Sequence, residues 1–129
     1  LSGYQSLYGT EVKNSLLMAV DDEFRNFGRK IELQIEDNKD SPVWGMSALN
    51  KILAQGSPIA IINGGSSVAM ALATKADKLG IPMIGVLASD EPLSTLSRKS
   101  YRAYLSSKLQ AEGLADFIVD FRTLATLYK

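Results

Sequence analysis

The chain contains no histidine and no cysteine. Their absence excludes disulfides, thiol nucleophiles, histidine-based triads and the commonest metal ligands together. No catalytic residues, no metal site and no cofactor are therefore expected. No apolar run approaches the eighteen or more residues of a membrane span. Charge of one sign is also lacking: fourteen basic and fourteen acidic side chains cancel. That balance gives no electrostatic footing for nucleic acid or an anionic membrane surface. No secretory leader pattern is visible, which a processed chain would have lost. A cysteine-free chain suits a reducing or an oxidising compartment equally.

What the 129 residues do hold is 46% hydrophobic side chains, enough for the core of a single domain. Gly64-Gly65-Ser66-Ser67 is the most informative stretch. It follows the apolar run from Pro58 to Asn63 and opens a helical pattern from Val68 to Leu79. A strand, a glycine turn and a serine-bearing helix start make a small anion trap, in which backbone N–H groups and hydroxyls point at the ligand. No lysine follows the turn, so the phosphate loop of nucleotide hydrolases is absent and a carboxylate suits the site better. A plainer role for Ser66 or Ser67 is to cap the helix.

The rest of the chain alternates helical and extended patterns. Val12, Leu16, Leu17, Val20 and Phe24 mark one face of a helix from about Thr10 to Asn26, stopping near Gly28. Ile31, Leu33 and Ile35 alternate with polar residues and predict a short strand. Ser41-Pro42 signals a helix start, with Trp44, Ala48, Ile52 and Leu53 as its apolar stripe and Gly56 as its end. Pro58 to Asn63 and Ile81 to Ala88 read as continuously apolar strands, buried on both faces. Gly80 closes the helix between them. Ser89 to Lys99 reads as loop, Tyr101 to Leu105 as a short strand, and Ser106 or Ser107 as the cap of a helix carrying Leu109, Leu114, Phe117, Ile118 and Phe121. Thr123 to Tyr128 reads as a final β-rich segment. Short connections between alternating elements predict a largely parallel sheet covered by helices on both sides.

The acidic cluster Glu36, Asp37 and Asp40 reads as a solvated turn before a helix start, since a phosphoacceptor would need an acid where Asn63 stands. Trp44 reads as packing, whereas Tyr4 and Tyr8 lie near the opening loop.

Together these pieces resemble the type I periplasmic solute-binding proteins, in the branch that serves ABC transporters for leucine, isoleucine, valine and amides. The likeness rests on Leu1-Ser2-Gly3 with Tyr8-Gly9, on Gly28 to Leu33 with Glu36-Asp37 and Asp40-Ser41-Pro42, on Asn63 to Ser67, and on Gly80 to Ile84 with Ala88-Ser89 and Pro92-Leu93-Ser94. It implies a three-layer α/β/α, flavodoxin-like lobe of the periplasmic-binding-protein type. It implies a function without catalysis: capture of a small amino acid or related carboxylate or amide, in the periplasm or outside the cell, for an ABC importer. The parent would dock a transporter permease. By the same resemblance, Ser66 or Ser67 grips the ligand carboxylate beside Gly65, Ala88 and Ser89 assist from the next strand end, and Tyr8 lines the pocket. Both loops lie at strand ends, where open α/β sheets bind ligands.

The family's opening strand, central in its lobe, has no counterpart in the sequence, and most of its second lobe is missing. The chain reads as a single α/β lobe over 1–129, with 106–129 resembling the start of the second lobe. Backbone groups beside a missing central strand need partners. Thr123 to Tyr128 is therefore expected to fill the gap, in cis or by strand swapping in a homodimer. A competing reading is a truncated, permuted or engineered flavodoxin-like structural module with no retained ligand.

Overall fold

The computed structural model of the chain describes residues 2–127. Helix α1 spans Ser6–Phe27, α2 Pro42–Gln55 and α3 Ser66–Leu79. The short strands β1 (Ile61–Gly64), β2 (Met83–Val86) and β3 (Ser100–Arg102) form one sheet in the order β1-β2-β3, with both pairings parallel. A single turn, α4 (Leu93–Leu96), precedes β3, and α5 (Ser107–Leu127) closes the chain. The architecture is α/β, as the sequence pattern implies.

Helix limits follow local chemistry. Pro42 fills the first position of α2, where its missing N–H costs nothing, after an extended Ser41. Gly28 and Gly80 end α1 and α3 in the left-handed conformation, each donating its N–H back into the last helical turn. Ser106 caps α5, its Oγ accepting the Leu109 N–H at 3.2 Å.

The core forms where α3 crosses α2 and lies on the sheet. Val68, Ala69, Leu72, Ala73 and Ala76 make the buried stripe of α3, packed with Leu49, Ile61, Ile81, Met83, Ala88 and Leu93. Val68, Met83 and Leu93 are the largest fully buried side chains, and each such burial contributes about 1.5–3 kcal/mol. Gly45 permits the close helix crossing, because a Cβ there would lie 2.5 Å from Val68 Cγ1.

Four sequence expectations are corrected. Residues 29–36 form neither strand nor helix: Ile31, Leu33 and Ile35 alternate as expected, yet they pair with no strand among the described residues. The β1 strand is buried on one face only: Ile61 and Asn63 are enclosed, while Ile62 is 40% exposed. Trp44 is half-exposed rather than packed in the core, with the Lys39 ammonium 3.6 Å above its ring. Finally, the expected strand from Thr123 lies within α5, which runs to Leu127; Tyr128 lies outside the described residues. With that segment helical, it neither fills the sheet in cis nor supplies a strand for swapping. The helix that starts at Ser107 propagates through the β-branched residues, since extending a helix is easier than starting one.

Helix α1 has no buried residue, although Val12, Leu16 and Val20 are half-buried. Its residues Tyr8, Val12 and Leu16 line a cavity with Val86 and Leu87 at the end of β2.

Candidate functional site

The candidate site is the turn joining β1 to α3, together with the loop that follows β2. β1 ends at Gly64, and Gly65 redirects the chain with φ +85° and ψ 144°. That region is effectively reserved for glycine. The chain then enters α3 at Ser66 with no side chain capping the helix, so the plain capping role for the serines is not met. Ser66 reaches sideways instead. Its Oγ accepts the Ser89 N–H at 3.0 Å and, more weakly, the Asp90 N–H at 3.4 Å. A hydroxyl has two lone pairs and one proton. With the lone pairs engaged by backbone donors, the Ser66 O–H is left to donate, and its polarised state favours an anionic acceptor.

Ser89 is held on both sides. Its carbonyl accepts the Ser107 N–H at 2.9 Å, which ties the start of α5 to the same loop. Leu87, just upstream, has φ +59°, a conformation that few residues with a side chain adopt.

The other flank of the turn is polar. A Cβ on Gly65 would sit 3.3 Å from Asp40 Oδ1 and 3.5 Å from Gln5 Oε1. Buried Asn63 braces the turn: its Oδ1 accepts Asn38 Nδ2 at 3.1 Å, and its Nδ2 donates to the Gly65 carbonyl at 3.2 Å. Asp37 anchors the start of the chain. It accepts the Ser2 hydroxyl at 2.7 Å, the Ser2 N–H at 3.0 and 3.1 Å, and the Lys39 N–H at 2.9 Å. The Ser2 hydroxyl first, then the Lys39 N–H, hold its carboxyl well below the usual carboxylate range.

The six expected site residues are thus distributed unevenly. Ser66 and Ser89 are joined directly, and Gly65 forms the turn beside them. Ser67 is exposed and takes part in no side-chain hydrogen bond among the described residues. The Ala88 side chain is fully buried against Gly85, so only its backbone could face a ligand. Tyr8, on α1, is half-exposed and lines a groove of about 570 Å³ with Gln5, Asp40, Gly64 and Leu87. That groove is lined by residues of α1, α2, β1 and 30–36, and by none of Ser66, Ser67, Ala88 and Ser89. Sequence reasoning missed Gln5, Asp40 and Leu87; Asn63, a polar residue closing an apolar run, was the one available signal of its bracing role. Among the described residues, no group of three or more carboxylates could hold a metal ion.

A parallel α/β lobe with its polar, serine-bearing turn at the strand ends has the construction of a solute-receptor lobe. The chain belongs to the periplasmic binding protein family, whose model matches residues 1–128. Two solved structures share the fold. One is a putative branched-chain amino acid ABC transporter protein from Rhodospirillum rubrum, at TM-score 0.81 and 17% identity over 93% of this chain. The other is the solute binding protein of an ABC transporter from Rhodopseudomonas palustris BisB5, in complex with 3,4-dihydroxy benzoic acid, at TM-score 0.73 and 19% identity over 81% of this chain. The chain spans 36% and 30% of those two proteins, about a third of their length. A search of curated proteins finds no match.

Proposed function

We propose that this chain is the carboxylate-gripping lobe of a solute receptor that serves an ABC importer in the periplasm or outside the cell. The observation that carries the reading is the Ser66–Ser89 bond, which orients a hydroxyl donor at the start of α3. The unpaired N–H groups of the first helical turn add partial positive charge at the same place. The solute is a small amino acid or related carboxylate, and the transporter permease is the protein partner. Family membership supports the binding role, and both structural neighbours belong to ABC transport systems. With one lobe alone, the ligand keeps one face in water. Affinity is therefore weak, in the millimolar range, on the order of −4 kcal/mol.

A thermal-shift panel tests this reading. Leucine, valine, benzoate and acetate raise the melting temperature at millimolar concentration, whereas the corresponding amines without a carboxylate do not. Equal shifts from acids and amines, or none from any acid, would remove the carboxylate reading. The open groove under α1 favours a second reading, a structural module without retained ligand, and a flat panel would select it.

A further inference from the structure

Asn63 is only 5% exposed, and a buried amide group needs hydrogen-bond partners. It is one link in a directed chain of them. The Asp40 N–H donates to Asn38 Oδ1 at 3.0 Å, Asn38 Nδ2 to Asn63 Oδ1 at 3.1 Å, and Asn63 Nδ2 to the Gly65 carbonyl at 3.2 Å. The two ends are backbone groups of fixed polarity, a donor at Asp40 and an acceptor at Gly65. Only one orientation of each amide satisfies both ends, so neither side chain can turn over without breaking two bonds. Bonds in such a chain also polarise one another.

The chain ends on the peptide that opens α3. The Gly65 carbonyl also accepts the Ala69 N–H at 3.1 Å, which engages its second lone pair, and the Gly65 N–H donates to the Val86 carbonyl at 3.2 Å. The peptide is trans, so its N–H points opposite its C=O. Holding the Gly65 carbonyl toward Asn63 therefore turns the Ser66 N–H away, out of the start of α3, where the helix has no carbonyl to receive it. Gly65 carries no side chain to resist rotation of this peptide, so the orientation has to be set from outside.

We propose that Asn63 is a positioning residue for the ligand carboxylate: through the Gly65 carbonyl it aims the Ser66 N–H to the side on which the Ser66 hydroxyl donates. This role rests on the carboxylate reading of the turn. Ser66 then offers two donors, and a carboxylate has two oxygens to receive them. The two donors are set by separate contacts, the hydroxyl by the Ser89 N–H and the Ser66 N–H by Asn63. Asn63 is enclosed and acts through Gly65 rather than by contact with the ligand.

The test compares the native chain with Asn63→Leu, which keeps much of the side-chain shape and removes the amide. Acetate affinity is read from an amide NMR titration, the orientation of the Ser66 N–H from its residual dipolar coupling, and the Ser66–Ser89 bond from exchange of the Ser89 amide. The expected result is acetate binding weakened about tenfold, a changed Ser66 coupling and unchanged Ser89 exchange. A purely structural Asn63 would loosen the whole turn, so that Ser89 exchange quickens together with the loss of binding; that result overturns the proposal. So does native acetate affinity in the variant, or an unchanged Ser66 coupling. If the native chain itself takes up no acetate, the carboxylate reading fails separately, and the Ser66 coupling still decides whether Asn63 sets the peptide. Should Asn63→Leu not fold, Asn38→Ala, at a half-buried side chain, cuts the same chain one link earlier. Acetate binding should then weaken several-fold with Ser89 exchange unchanged, and native affinity in that variant overturns the proposal.

Discussion

Ser66 Oγ accepts the backbone N–H of Ser89 at 3.0 Å, joining the first turn of α3 to the loop after β2. Two segments 23 residues apart in sequence are thereby locked at adjacent strand ends, one supplying the hydroxyl and the other the backbone. Removing the hydroxyl does two things. It leaves a half-buried donor without its acceptor, and it deletes the hydroxyl that the proposed site offers to a ligand.

Ser66→Ala should therefore lower stability by about 1–2 kcal/mol, read from urea unfolding, and speed exchange of the Ser89 amide. Ser67→Ala, at an exposed side chain outside the network, should change stability by less than about 0.5 kcal/mol. Equal losses in the two variants would contradict the assignment of the bracing role to Ser66.

Gly65 and Gly64 should respond differently to alanine. Gly65 has φ +85°, and a Cβ there approaches Asp40 Oδ1 at 3.3 Å. Gly65→Ala should cost on the order of 1–3 kcal/mol. A Cβ at Gly64 meets nothing within 4 Å and the residue lies within a strand, so Gly64→Ala should be nearly neutral. Urea melts of both variants check the order, and a Gly64 variant as damaged as the Gly65 variant would refute the geometry given for the turn.

The glycine stops were legible because they act locally. Gly28, Gly56 and Gly80 end helices where the sequence placed them, and Ser41-Pro42 starts one. Strand character was legible too, but pairing is a long-range property. Ile31 to Ile35 has the alternation of a strand but pairs with no strand among the described residues. The segment from Thr123 failed for a different reason: β-branched residues at the end of a long helix follow the helix already nucleated upstream. At the site, the glycine turn and its serines could be read from spacing. Gln5 and Asp40 could not, since only the folded chain carries them to Gly65.

Asp40 beside Gly65 adds a charge test. A carboxylate ligand at the turn meets a like charge there, whereas an amino acid also brings an ammonium group. Asp40→Asn should strengthen acetate binding several-fold at low salt and strengthen leucine binding less. Competition measurements with both ligands would expose an identical change, which would place Asp40 outside the ligand's reach.

The anchor at Asp37 should make the opening loop sensitive to acid. Its folded pKa is depressed below the unperturbed value of 3.8 by the Ser2 hydroxyl and the Lys39 N–H. The linked stability is thus present above about pH 4 and declines as pH falls through that value toward the folded pKa. The effect is small, because the group is near solvent. Unfolding curves for the native chain and Asp37→Asn should differ most at pH 6 and draw together progressively as pH falls below about 4 toward the folded pKa. A gap independent of pH would show that the Asp37 charge does not anchor the loop.

The most direct measurement is an amide NMR titration of the native chain and of Ser66→Ala with leucine and acetate. The account predicts saturable shifts confined to Gly64–Val68 and Ala88–Ser89 in the native chain, weakened at least tenfold in the variant, equivalent to about 1.4 kcal/mol. Shifts of equal size and midpoint in the two proteins, or shifts centred elsewhere, would contradict the claim that the serine turn grips the carboxylate.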